Sequence, residues 1–159
     1  METPLGKMLD RAQEYVDSMA HFFADFRDRA TDDYSRLLTY HIARHKKSLS
    51  LLHSMLSPEE LGRVRTTPLK TGDDDFLPER VFNSYYLVSE SKPSEVIATA
   101  IDFLEVLVGF YQWLDDQFQG MPISKVLKEL IEKEGKEIEK LRSIETESFF
   151  ENRTRNKSH

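Results

Sequence analysis

Two histidines one helical turn apart, His41 and His45, stand in an apolar stripe made by Tyr34, Leu37, Leu38, Ile42, Leu49 and Leu52. Much further along the chain, Glu134 falls between Ile131 and Ile138 at the centre of another apolar face, with Glu137 toward one edge of it. Imidazole and carboxylate are the donors that suit Fe(II), Mn(II) or Zn(II), and histidines at i and i+4 can share one ion. His41, His45, Glu134 and Glu137 are therefore the candidate metal ligands. The same groups can also satisfy one another without a metal, with His45 and Glu134 as a buried hydrogen-bonded ion pair. These groups are expected to meet each other, water or a metal, because an ionised carboxylate left alone in a dry core costs several kcal/mol; the remaining alternative is a fourth helix rotated so that Glu134 is exposed.

Either chemistry needs helices to carry it. The first is expected over residues 4–29, where Leu5, Met8, Leu9, Ala12, Val16, Met19, Phe23 and Phe26 recur in threes and fours. Thr31, Asp32 and Asp33 break it and open a second helix over 32–56, with acids placed where the helix dipole favours them. Ser57, Pro58, Glu59 and Glu60 form a capping box with proline at the first helical position, which predicts a short separate helix. The helical pattern dissolves between Gly62 and Lys92, leaving an apolar patch at Val81, Phe82, Tyr85, Tyr86 and Leu87. The acidic triplet Asp73, Asp74 and Asp75 lacks the spaced ligands of a calcium loop and is taken as a solvated turn. A third helix is expected over 93–118, stopped by Gly120, and a fourth over 123–148 after Pro122. The polar residues 151–159 are expected to fray.

Two short links and one long one, the crossover of residues 57–92, make an all-α antiparallel four-helix bundle over 1–150. The halves also align with each other. Residues 34–52 lie over 123–141 with Ser35/Ser124, Leu38/Leu127, Lys47/Lys136 and Leu52/Leu141 identical. This alignment pairs His45 with Glu134 and Ser48 with Glu137.

With its long central crossover, repeated hairpins and polar groups on helices two and four, the chain resembles the ferritin-like superfamily near rubrerythrin. The resemblance implies Glu-x-x-His on helices two and four and one Glu from each of the others. Glu134 matches the fourth-helix carboxylate, and Glu137 stands where its histidine is expected. His45 and Ser48 take the paired positions on helix two; another register makes His45 the motif histidine with Ile42 in the carboxylate place. Helices one and three offer Val16, Met19 and Phe23, and Leu104, Val108 and Tyr111, with Asp17 and Glu105 on the polar side. The two-iron site is thus degenerate or incomplete.

Composition narrows the remaining classes. The chain has 159 residues, a formal charge of −6 and no cysteine, so disulfides, thiolate metal sites and cysteine nucleophiles are excluded. The acidic balance argues against nucleic acid, the short basic run Arg44 to Lys47 being a solvated face, and no stretch approaches a membrane span. A cytoplasmic protein is expected. No glycine-rich phosphate loop or nucleophile elbow is present, and His21 and His53 fall at polar positions. Helix three adds Phe103, Val106, Phe110 and Trp113 to its core face, an apolar arc wide enough to be buried on two sides. The crossover, through Tyr85 and Tyr86, or a second subunit must cover it, and a homodimer through those four residues is expected. The first function is a non-catalytic structural or binding module. The alternative is a mononuclear or degenerate Fe, Mn or Zn protein with possible oxidoreductase chemistry.

Overall fold

The computed structural model describes residues 2–43, 49–70 and 79–157, with side chains described up to Glu145. Among the described residues the regular structure is helical apart from one short clip. Strand β1 (Glu2–Pro4) leads into α1 (Leu5–Arg29), followed by α2 (Asp33–Ala43), α3 (Leu51–Met55), α4 (Pro58–Thr66) and strand β2 (Pro68–Lys70). A 3₁₀ segment (Glu79–Ser84) then precedes α5 (Pro93–Gln117) and α6 (Pro122–Lys157). The expected second helix over 32–56 is represented by α2 and α3, with residues 44–48, and so His45 and Ser48, outside the described residues. The triplet Asp73 to Asp75 also lies outside them.

Local chemistry sets these boundaries. Ser57 caps α4 by accepting from the Glu60 amide while Glu60 reaches back to the Ser57 amide, the expected capping box. That backbone hydrogen bond holds the Glu60 carboxyl below the ordinary glutamate range. Gly120 takes φ +82° between α5 and α6, a conformation that side chains with a Cβ resist. The helix after it is longer than expected, continuing to Lys157 through the tail predicted to fray. No proline or glycine follows Gly135 to stop it.

The clip has no counterpart in the sequence patterning. β1 and β2 pair antiparallel with Thr3 opposite Leu69, joining the chain's start to its crossover. Beside it, Gly6 lies so close to α4 that a Cβ would meet the Arg65 carbonyl oxygen at 2.9 Å. Arg65 also reaches Asp10 at 2.9 Å, so α4 lies along the beginning of α1.

Two apolar clusters fill the interior. One joins residues 5–16 of α1 to the later half of α5, the beginning of α6, and Leu49, Leu52 and Leu56. The other joins Met19, Phe23 and Phe26 to Leu38 and Ile42 of α2, the first half of α5, and Ile138 and Leu141. The order of residues through the clusters gives directions: α1 and α6 run one way, α2 and α5 the other.

The α2 face that packs inward differs from the expected one. Leu38 and Ile42 are buried as predicted, but Tyr34 and Leu37 are exposed, and Ser35 and Thr39 take the interior positions instead. Both hydroxyls are satisfied there. Ser35 donates to the Ser91 carbonyl at 3.2 Å, and Thr39 donates to the Arg36 carbonyl at 2.6 Å while accepting from Arg27. Small hydroxyls with backbone partners cost little to bury, which allows α2 to turn two larger apolar side chains outward.

Candidate polar layer between α2 and α6

Helix α6 carries Val126, Leu127, Leu130, Ile138 and Leu141 into the core at helical spacing, and Glu134 falls on that line between Leu130 and Ile138. Its carboxylate residue is 0 % exposed, and Glu137, nearly one turn on, is 7 % exposed. From α2, His41 leaves the buried Leu38–Ile42 line by a partial turn and meets Glu137, with Nε2 2.6 Å from Oε1. The imidazole side chain is 34 % exposed, so its outer edge reaches solvent between the two helices while Glu137 is enclosed. The two atoms stand within ion-pair distance without meeting as a hydrogen bond.

This layer separates the two apolar clusters. Leu130 belongs to one and Ile138 to the other, with Glu134 between them; on α1 the change falls between Val16 and Met19, and on α5 between Leu104 and Leu107. Those flanking residues on α1 and α5 are buried and apolar. Asp17 instead accepts from Gln13 at 3.0 Å, and Glu105 pairs on the surface with Arg142. Hence neither α1 nor α5 brings an acid into the layer.

Of the four candidate ligands, the structure brings His41 and Glu137 together and places Glu134 in the same layer; His45 lies outside the described residues. Two donors held about 2.1 Å from one tetrahedral ion stand roughly 3.4 Å apart. At 2.6 Å, His41 and Glu137 are closed on each other rather than spread around an ion. Among the described residues no group of three His, Asp or Glu side chains is arranged to hold a metal. His21 and His53 are exposed, as their polar positions predicted. Three identical pairs between the halves, Ser35 and Ser124, Leu38 and Leu127, and Leu52 and Leu141, are buried together, but Tyr34 and Leu37 are exposed where their counterparts Ile123 and Val126 are buried.

A second buried polar group was missed. Asp115 is enclosed at the α5–α6 turn, where it accepts from the Ser124 hydroxyl at 2.5 Å and from Gln119 at 3.0 Å. Its position one turn after Tyr111 on the core face of α5 was the available signal. Fully partnered at a helix junction, it clamps the turn. The open cleft nearby, about 420 Å³ between Met55, Leu56 and the beginning of α6, offers Glu60, Lys125 and Lys128 but no histidine.

The wide apolar arc of α5 is covered largely by the chain itself. Phe103 and Phe110 have no exposed surface, which removes both from the expected subunit interface and leaves the half-buried Val106 and Trp113. Phe82 and Tyr85 from the crossover meet Phe103 edge to face at centroid distances of 4.7 and 5.1 Å. Tyr85 also donates to Asp102 at 2.6 Å, and loss of that proton is opposed by the nearby carboxylate, which raises the phenol's pKa. The expected companion, Tyr86, points to solvent instead. On the α1 side, Tyr15 donates to the Phe103 carbonyl at 2.8 Å, and burial pushes its phenol well above the ordinary range.

Among the described residues no helix is long and apolar enough to cross a membrane. Comparison of the chain with family models, with curated proteins and with solved structures finds no match.

Proposed function

We propose that the chain is a ferritin-like four-helix bundle whose polar layer works as a metal-free structural element, and that it serves as a non-catalytic binding module assembled as a homodimer. Support for the architecture comes from the helix directions, with α1 and α6 opposed to α2 and α5 across one long crossover. The 2.6 Å contact between His41 and Glu137 carries the functional reading, because it sets an imidazole against a buried carboxylate at a distance too short for an intervening ion. The apolar lining from α1 and α5 adds no further donor for redox or hydrolytic chemistry.

The second reading is a mononuclear Fe, Mn or Zn site in which His41, His45, Glu134 and Glu137 spread around one ion. What favours it is the complete burial of Glu134, a carboxylate that a cation would stabilise. Elemental analysis of protein purified without a chelating tag separates the two. The metal-free reading expects metal far below one equivalent and no rise in melting temperature on adding Fe(II), Mn(II) or Zn(II). One equivalent of bound metal, with a melting temperature that falls on its removal and a Glu134→Gln variant that no longer binds it, would overturn that reading.

A further inference from the structure

The cleft beside the α5–α6 turn is held open by the elements around it. On one wall, the capping box of Ser57 and Glu60 fixes the start of α4 directly after Met55 and Leu56. On the other, Gly120 turns the chain with φ +82°, and the hydrogen bond that Ser124 donates to Asp115 fixes the first turn of α6. A Cβ on Gly120 would meet nothing within 4 Å, so the turn does not crowd the cleft. The volume, about 420 Å³, falls within the roughly 300–1,000 Å³ of small-molecule sites, which are largely formed before the ligand arrives.

The lining divides by chemistry. Met55, Leu56, Met121 and Val126 supply its apolar part. Leu56 and Val126 are buried, while Met55 and Met121 stay 40 % and 42 % exposed at the mouth, where unbranched thioether side chains can adapt to a ligand's shape. Lys125 and Lys128 stand on the same side of α6, three residues apart. Lys128 lies 3.5 Å from the Gln119 side-chain oxygen, and Lys125 holds no hydrogen bond or ion pair among the described residues. The lining acid, Glu60, is already engaged by the Ser57 amide.

These features select a ligand class. Two cations beside one acid leave a single positive charge, which suits a monoanion better than a polyphosphate. Among the described residues no aromatic side chain lines the cleft, so a flat ring finds no face to stack on. Apolar side chains below two ammonium groups match an aliphatic body with one charged end.

We propose that this cleft binds a small aliphatic carboxylate, with its alkyl chain against Met55, Leu56, Met121 and Val126 and its carboxylate between Lys125 and Lys128. The inference depends neither on the metal content of the polar layer nor on the homodimer, and its failure would leave both readings as they are.

Decanoate is the probe, read by nuclear magnetic resonance on the full chain with isotope-labelled methionine methyl groups. Met55 and Met121 line the cleft, while Met8 and Met19 are buried in the core and report on the fold. The Met55 and Met121 signals are expected to shift saturably, with a dissociation constant of about 0.1–1 mM for a ligand of about a dozen heavy atoms, and Met8 and Met19 should not move. Lys125→Glu should weaken binding about tenfold, as should decanol, which keeps the chain and lacks the charge. If the Met8 and Met19 signals show that Lys125→Glu is unfolded, Lys125→Gln takes its place with the same direction of effect. No saturable shift at Met55 or Met121 up to about 10 mM decanoate would overturn the site. Shifts confined to Met8 or Met19 would place the ligand in the core and overturn it equally. Decanol binding as tightly as decanoate, or undiminished affinity in the folded lysine variant, would overturn the carboxylate as the recognised group.

Discussion

Helices α5 and α2 pose the same problem and answer it differently. Each carries more apolar side chains than one face can hold. In α5 the surplus is taken up within the chain: Phe22 and Phe23 of α1 pack on one side of Phe103, and Phe82 and Tyr85 of the crossover pack on another. In α2 the inward positions go to Ser35 and Thr39, and Tyr34, Leu37 and Tyr40 remain outside. A wide apolar arc thus says that a helix has two contacts to make. It does not say whether the second contact comes from the same chain.

Substitutions on the two helices should separate these cases. The largest effect is expected for Phe103→Ala, which removes the ring on which α1 and the crossover converge. It should lower the free energy of unfolding by about 3–5 kcal/mol in urea titrations. A loss under 1 kcal/mol would mean that the crossover does not hold α5 as described. Tyr85→Phe is intermediate, removing the hydrogen bond to Asp102 at a cost of about 1 kcal/mol. Its pH dependence has a definite sign. The folded pKa of Tyr85 is raised, so its contribution is fully present below the unfolded tyrosine pKa and is lost as pH rises through the folded value. Wild type and Tyr85→Phe should therefore converge in stability in alkali; a constant gap would reject the hydrogen bond as the cause. Smallest is Leu37→Ser, expected within about 0.5 kcal/mol of wild type when measured on the monomer at high dilution. A loss comparable to that of Phe103→Ala would show that α2 is covered within its own chain after all.

Much of the scaffold was legible because its signals are local. Pro93 and Pro122 start α5 and α6, Gly120 marks the turn between them, and Ser57 with Glu60 announces α4. The β1–β2 clip was not, since three-residue strands bounded by Pro4 and Pro68 are too short to show alternation. The rotation of α2 was hidden for another reason. Hydropathy ranks Tyr34 and Leu37 above Ser35 and Thr39, but the backbone carbonyls that make the hydroxyls welcome inside come from Ser91 and Arg36. Ser91 is distant in sequence and cannot be read from the helix alone. In the polar layer, Glu134 and Glu137 could be placed because each interrupts an apolar run on a long, regular helix. That His41 closes on Glu137 depends on how α2 and α6 align, which only the fold decides.

The start of α1 has a consequence for the order in which the molecule can form. Pro4 precedes the helix and supplies no side-chain cap, and the first amide, that of Leu5, donates instead to the carbonyl of Thr67 at 2.8 Å. A chain synthesised from its amino end makes α1 long before residue 67 exists. Until then the helix begins with an unfinished turn, its leading amide left to water. Docking of α4 and β2 closes a loop from Leu5 to Thr67, a step that carries an entropic cost and belongs late in folding. The first helix in the sequence is therefore among the last to have its end completed.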